Sequence, residues 1–148
     1  MIQALSFTVK DVCLALGNVS RSRVHAWTKL SPFSLKETSE RSARRFDVTD
    51  VLTLAVLQKL EDIYGIKSRH LGCFSENIYG YFAQPRPITG SEFVFVGLAG
   101  GVVRRLDTTP ISEPGWIVDV AEERERINVF LGIVPPQRQL ALVVSVQG

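Results

Sequence analysis

The hydrophobic pattern of this chain changes period at one place. Before the stretch QPRPITG, residues 84–90, apolar side chains recur at helical spacing; beyond it they run in short blocks broken by glycine and proline. A period of 3.6 and a period of 2 belong to different elements. The segment therefore reads as a proline-bearing linker between a helical part, residues 1–83, and a β-rich part, residues 91–148. The expected class is α+β, with helices first and a small antiparallel sheet after them. A chain of 148 residues that is 45% hydrophobic can bury one sizeable core or two small ones.

In FTVKDVCLALG, Thr8 stands three residues before Asp11, a capping-box start. Val9, Val12, Cys13 and Leu16 follow at helical spacing, and Gly17 stops the helix. Asn18 and Val19 make a turn, and Ser20 is a good N-cap for a second helix that begins at Arg21. On that helix Val24, Trp27 and Thr28 share one side, while Ser22, His25, Ala26 and Lys29 fall opposite and Arg21 and Arg23 flank them. The helix can dock through Val24 and Trp27 and present basic and small polar groups outward. From Asp47, DVTDVLTLAVLQKLEDIYG is the strongest helix pattern, with Val51, Leu54, Ala55, Leu57 or Gln58, Leu60 and Ile63 apolar-facing and Gly65 as its stop. A further helix runs from Ser68 to about Phe82, with Leu71, Phe74, Ile78 and Phe82 on one side.

Net charge is only +2, but it is unevenly spread: between Arg21 and Arg45 there are seven Lys/Arg against two Asp/Glu. Such a local basic excess attracts polyanions. Part of it lies in SPFSLKETSERSARRFD, which has no helical period and reads as a loop or short β-hairpin, a wing able to reach a phosphate backbone. Two short helices joined by a tight turn, the second basic on its free face, describe a helix-turn-helix. The candidate DNA-binding residues are Arg21, Ser22, Arg23, His25, Lys29, Lys36, Arg41, Arg44 and Arg45. Trp27 belongs to the core instead, because it shares a face with Val24.

The order helix, turn, helix, wing, helix, helix resembles the DNA-binding domain of MerR-type regulators over roughly residues 6–80. The resemblance rests on FTVKDVCLALGNVS, RVHAWTKL and RRFDVTDVLTL. Phe7, Thr8 and Val9 resemble the family's aromatic-Thr-aliphatic start, Trp27 its packing aromatic, and Arg44, Phe46 and Asp50 its arginine before an aromatic and an acidic helix start. Asn18 stands as a one-residue insertion in the turn, and His25 and Ala26 replace the family's frequent Arg-Tyr pair, so Arg21 and Arg23 rank above His25. The long pairing helix of that family has no counterpart heptad run here. The resemblance implies a winged helix-turn-helix domain over residues 1–83 that binds double-stranded DNA.

In the β-rich part, EFVFVGL and VVRRL flank a turn at Ala99-Gly100-Gly101, and GWIVDV, INVFLGIV and LALVVSV are further strand candidates, which suggests four or five strands. AEERERIN fits a short helix or a polar-faced strand equally. The strands are nearly continuously apolar, which calls for cover on both faces by a second copy or by the N-terminal part. Residues 91–148 are thus expected to dimerise the protein or to bind a partner.

Catalysis is not expected, because neither histidine nor either cysteine stands in an activating arrangement, and Glu122, Glu123 and Glu125 form a charge run typical of a solvated face. Cys13 and Cys73 sit far apart in apolar sequence with no zinc spacing, so no metal or other cofactor is expected. No apolar run approaches the roughly 18 to 20 residues that span a bilayer, and no leader pattern opens the chain. A cytoplasmic, nucleoid-associated protein is expected. The leading reading is a sequence-specific transcriptional regulator, a repressor of phage or plasmid kind, acting as a homodimer. The alternatives are a DNA-packaging or excisionase-like architectural subunit, and a protein-interaction module whose DNA-binding half is degenerate. Nothing in the residues names an effector.

Overall fold

The computed structural model describes residues 6–35, 44–85, 87, 90–99 and 102–131. Helix α1, Val9–Ala15, opens with the Thr8–Asp11 capping box and ends at Gly17 and Asn18, both with positive φ (83° and 64°). Two successive left-handed residues reverse the chain within one turn and deliver Ser20, whose side chain accepts from the Arg23 amide and starts α2, Arg21–Trp27. A Cβ at position 17 meets no atom, so the cost of Gly17→Ala is conformational alone. The expected loss is about 1 kcal/mol, read as a lowered denaturation midpoint, and an unchanged midpoint would contradict this turn geometry.

A single 3-10 turn, Phe33–Leu35, follows α2, and Phe7 and Phe46 then pair as an antiparallel bridge through reciprocal backbone hydrogen bonds of 2.7 and 2.9 Å. The tip of the expected wing lies outside the described residues. Helix α3, Val48–Asp62, starts at an Asp47–Asp50 capping box, and α4 spans Ser68–Ala83 after Gly65 turns at φ 71°. Ile63, expected on the apolar face of α3, is 68% exposed, because the helix ends at Asp62 and Ile63 caps it on the solvent side. Helix α3 is otherwise buried nearly all round: Leu52, Thr53 and Val56 are enclosed together with Val51, Leu54, Ala55, Leu57 and Leu60.

Beyond the linker, β1 (Phe93–Gly97) lies between β2 (Val103–Arg105) and β3 (Gly115–Asp119), antiparallel to both. The class is α+β; three of the expected strands form the described sheet, and LALVVSV lies outside the described residues. Only glycine fits position 115, where a Cβ would lie 2.3 Å from the Val96 carbonyl oxygen. AEERERIN is helical: α5, Val120–Phe130, is capped by Asp119, whose side chain accepts from the Glu122 amide. The start of INVFLGIV is therefore helix, a correction to the strand expected there. Its apolar residues continue α5 because Ile127 falls on the buried side with Val120 and Glu123.

One hydrophobic cluster joins all these elements. Val94, Val96 and Val118, from one face of the sheet, are buried in the same core as Val24, Trp27, Leu54, Phe74 and Ile78. Phe74 meets Trp116 edge-on at 5.5 Å. Polar latches reinforce the packing. Glu92, 2% exposed, accepts from Tyr81 at 2.5 Å and from Arg124 at 2.7 and 3.3 Å. Glu123 is buried, paired with Lys59 of α3 and with Arg126 one turn along its own helix, so the supposed solvated run has one carboxylate facing inward. The opposite face of the sheet leaves Phe93 and Ile117 exposed.

Candidate functional site

Burial divides α2 as its spacing requires. Val24, Trp27 and Thr28 are enclosed, whereas Arg21, Ser22, His25 and Lys29 are exposed. The side chains of Arg21, His25 and Lys29 have no hydrogen-bond or ion-pair partner among the described residues. Arg44 comes beside them: Arg21, Ser22, His25 and Arg44 line one shallow cavity, about 370 Å³, with Val9 and Phe46. The Phe7–Phe46 bridge makes this possible, because it holds the chain after the wing against the start of α1. Arg44 also donates to the Phe33 carbonyl at 3.2 Å, and Arg45 donates to the Ser6 hydroxyl and carbonyl at 2.9 and 3.2 Å. Lys36 and Arg41 lie outside the described residues.

Arg23 is placed differently from its neighbours. Its guanidinium donates to Glu61 at 2.9 Å and to both oxygens of Asp62 at 2.8 and 3.3 Å, and stacks 4.9 Å from the centre of the Trp27 ring. Burial by itself would lower the Arg23 pKa, but the two carboxylates outweigh it and raise it. Glu61 also accepts from Trp27 Nε1 and from the Ser68 hydroxyl, each at 3.3 Å, so one carboxylate joins α2, α3 and α4. Arg23 thus orients α2 against α3, with its charge directed at the acidic end of that helix. The sequence carried a signal for this, since adjacent acids at a helix C-terminus oppose the helix dipole unless a cation meets them.

Another group of residues escaped sequence reasoning. Lys67, Arg69 and His70, at the start of α4, line a cleft of about 470 Å³ together with Phe74 and Trp116. Cys73, expected in apolar surroundings, is exposed there, whereas Cys13 is buried. In β2, Arg104 lies over Phe95 and donates to the Pro110 carbonyl, and Arg105 donates to the Pro87 and Ser91 carbonyls.

Among the described residues there is no cluster of His, Cys, Asp or Glu fit to hold a metal ion, and no helix long and apolar enough to cross a membrane. No family model matches the sequence, and no curated protein or solved structure matches it.

Proposed function

We propose that the protein binds double-stranded DNA through the outward face of α2, as a MerR-like winged helix-turn-helix transcriptional regulator, a repressor, working as a homodimer near the nucleoid. The observation that carries this reading is a set of exposed groups on one surface that have no side-chain partner among the described residues. Arg21, Ser22, His25 and Lys29 stand out from a helix whose other side is anchored in the core, with Arg44 next to them. Exposed cations with no carboxylate beside them stay hydrated in the free protein and are available to phosphates and base edges. Helix α2, seven residues long, spans about 10 Å and covers only a few base pairs. Specific binding then calls for a second copy. Phe93 and Ile117, exposed on the outer face of the sheet, support pairing through the β-rich part.

The reading is tested by selecting bound sequences from a random duplex pool and measuring affinity against salt. An inverted repeat is expected, whereas a single direct site would favour an architectural role, and no binding at low salt would overturn the proposal. Arg21→Ala is expected to flatten the slope of log K against log salt by about one unit if Arg21 meets a phosphate. If Arg21 meets a guanine, the variant loses roughly 1 to 3 kcal/mol of discrimination between selected and random DNA. An Arg21→Ala variant that changes neither quantity would remove Arg21 from the interface.

A further inference from the structure

We propose that the cleft between the first turn of α4 and the sheet binds a small phosphorylated ligand bearing a planar ring, of nucleotide size. Its volume, about 470 Å³, lies in the range of small-molecule sites. Two chemistries meet in it. Lys67, Arg69 and His70 are exposed at its edge, and their side chains have no partner among the described residues. No Asp or Glu lines the cleft among the described residues, so nothing there neutralises them. Deeper in, Phe74 is buried and Trp116 half-buried, and their rings meet edge-on at 90°. Tyr64 donates to the Ile117 carbonyl at 2.7 Å and fixes the α3–α4 turn against β3, so the walls come from elements already held together.

The placement of the cations adds a second argument. Helix α4 has sixteen residues, its N-cap Lys67 makes no side-chain capping bond, and no acid stands in its first turn. Cations at that end oppose the helix dipole, and an anion bound among them offsets the opposition, because it is attracted by the dipole and the side-chain charges alike. A bare phosphate would use the cations and ignore the aromatic wall. A phosphate joined to a planar ring uses both, since aromatic side chains and a flat heterocycle exclude water from each other while the charge stays at the edge.

The site is read without DNA, so its failure leaves the DNA-binding proposal untouched. The full chain is titrated with AMP, ATP, inorganic phosphate and adenosine at low salt, by calorimetry and by tryptophan fluorescence. Nucleotide is expected to bind more tightly than either phosphate or adenosine and to quench fluorescence. Trp27 is 2% exposed, so the quenching should vanish in Trp116→Phe while calorimetry still registers binding. The surface variant Lys67→Ala/Arg69→Ala should bind nucleotide at least about tenfold more weakly. Alkylation of Cys73 should slow when nucleotide is bound, with Cys13 buried and inert. The proposal is overturned if no nucleotide binds at millimolar concentration, if inorganic phosphate binds equally well, or if the Lys67/Arg69 variant retains full affinity. Displacement of the nucleotide by duplex DNA would also overturn it and identify the cleft as a DNA-backbone contact.

Discussion

Trp27→Ala is expected to remove about 3 to 5 kcal/mol of folding free energy. Trp27 is 2% exposed, at the point where α2 meets the ends of α3 and α4. Truncation leaves a cavity the size of an indole and takes away the surface on which the Arg23 guanidinium rests. It also deprives Glu61 of one of its three side-chain donors. Trp27→Phe keeps most of the apolar volume and loses the donor, so it should cost much less. Chemical denaturation of both variants decides the matter; a loss below about 1 kcal/mol for the alanine variant would mean that α2 is not held by this residue. Since α2 carries the proposed DNA-binding face, the alanine variant should also lose DNA affinity at temperatures where most of the protein remains folded.

The second large effect is expected at Glu92. This carboxylate lies between α4 and α5, with Tyr81 and Arg124 both donating to it. Glu92→Gln removes the charge and leaves Arg124 without its counter-ion. Loss of one partner from a buried ion pair costs about 3 to 5 kcal/mol, and the partial exposure of Arg124 puts this case at the low end. The pair also sets a pH dependence. Burial would raise the Glu92 pKa, but the hydrogen bonds from Arg124 and Tyr81 and the charge of Arg124 outweigh it, so the folded value lies below the ordinary 4.5. The stabilisation is therefore complete above that ordinary value and is lost as pH falls through the lower folded one. Denaturation between about pH 6 and pH 3 should show the wild-type protein losing stability more steeply than Glu92→Gln. Parallel curves would show that folding leaves the Glu92 pKa unchanged. Asp11, held low by its bonds with Thr8, contributes to both proteins alike and cancels in the comparison.

Local chemistry accounts for what was legible in advance. The capping pair Thr8–Asp11, the Ser20 cap, the start of α3 at Asp47, and the stops at Gly17 and Gly65 act within one turn of chain, and each stands where spacing put it. The division of α2 into a docked side and a free side followed from the 100° step alone. INVFLGIV misled because a short apolar run is compatible with either element, and packing of Ile127 beside Glu123 decided for helix. Glu123 itself was read as solvated because sequence does not show that Lys59 and Arg126 would surround it.

The candidate site divides in the same way. Composition concentrated the positive charge between Arg21 and Arg45, and periodicity turned Arg21, Ser22, His25 and Lys29 outward, both properties of residues near one another in the chain. That Arg23 faces Glu61 and Asp62 depends on contacts 38 and 39 residues apart. The cleft at Lys67 and Arg69 exists only because β3 brings Trp116 against Phe74. The sequence by itself determined the four helices before the linker, the turns between them and the charged face of α2, because those follow from backbone sterics and near-neighbour hydrogen bonds. Only the tertiary structure decided which charges are spent inside the protein and which remain free, because an ion pair needs both partners at a few ångströms, and chain separation does not supply that distance.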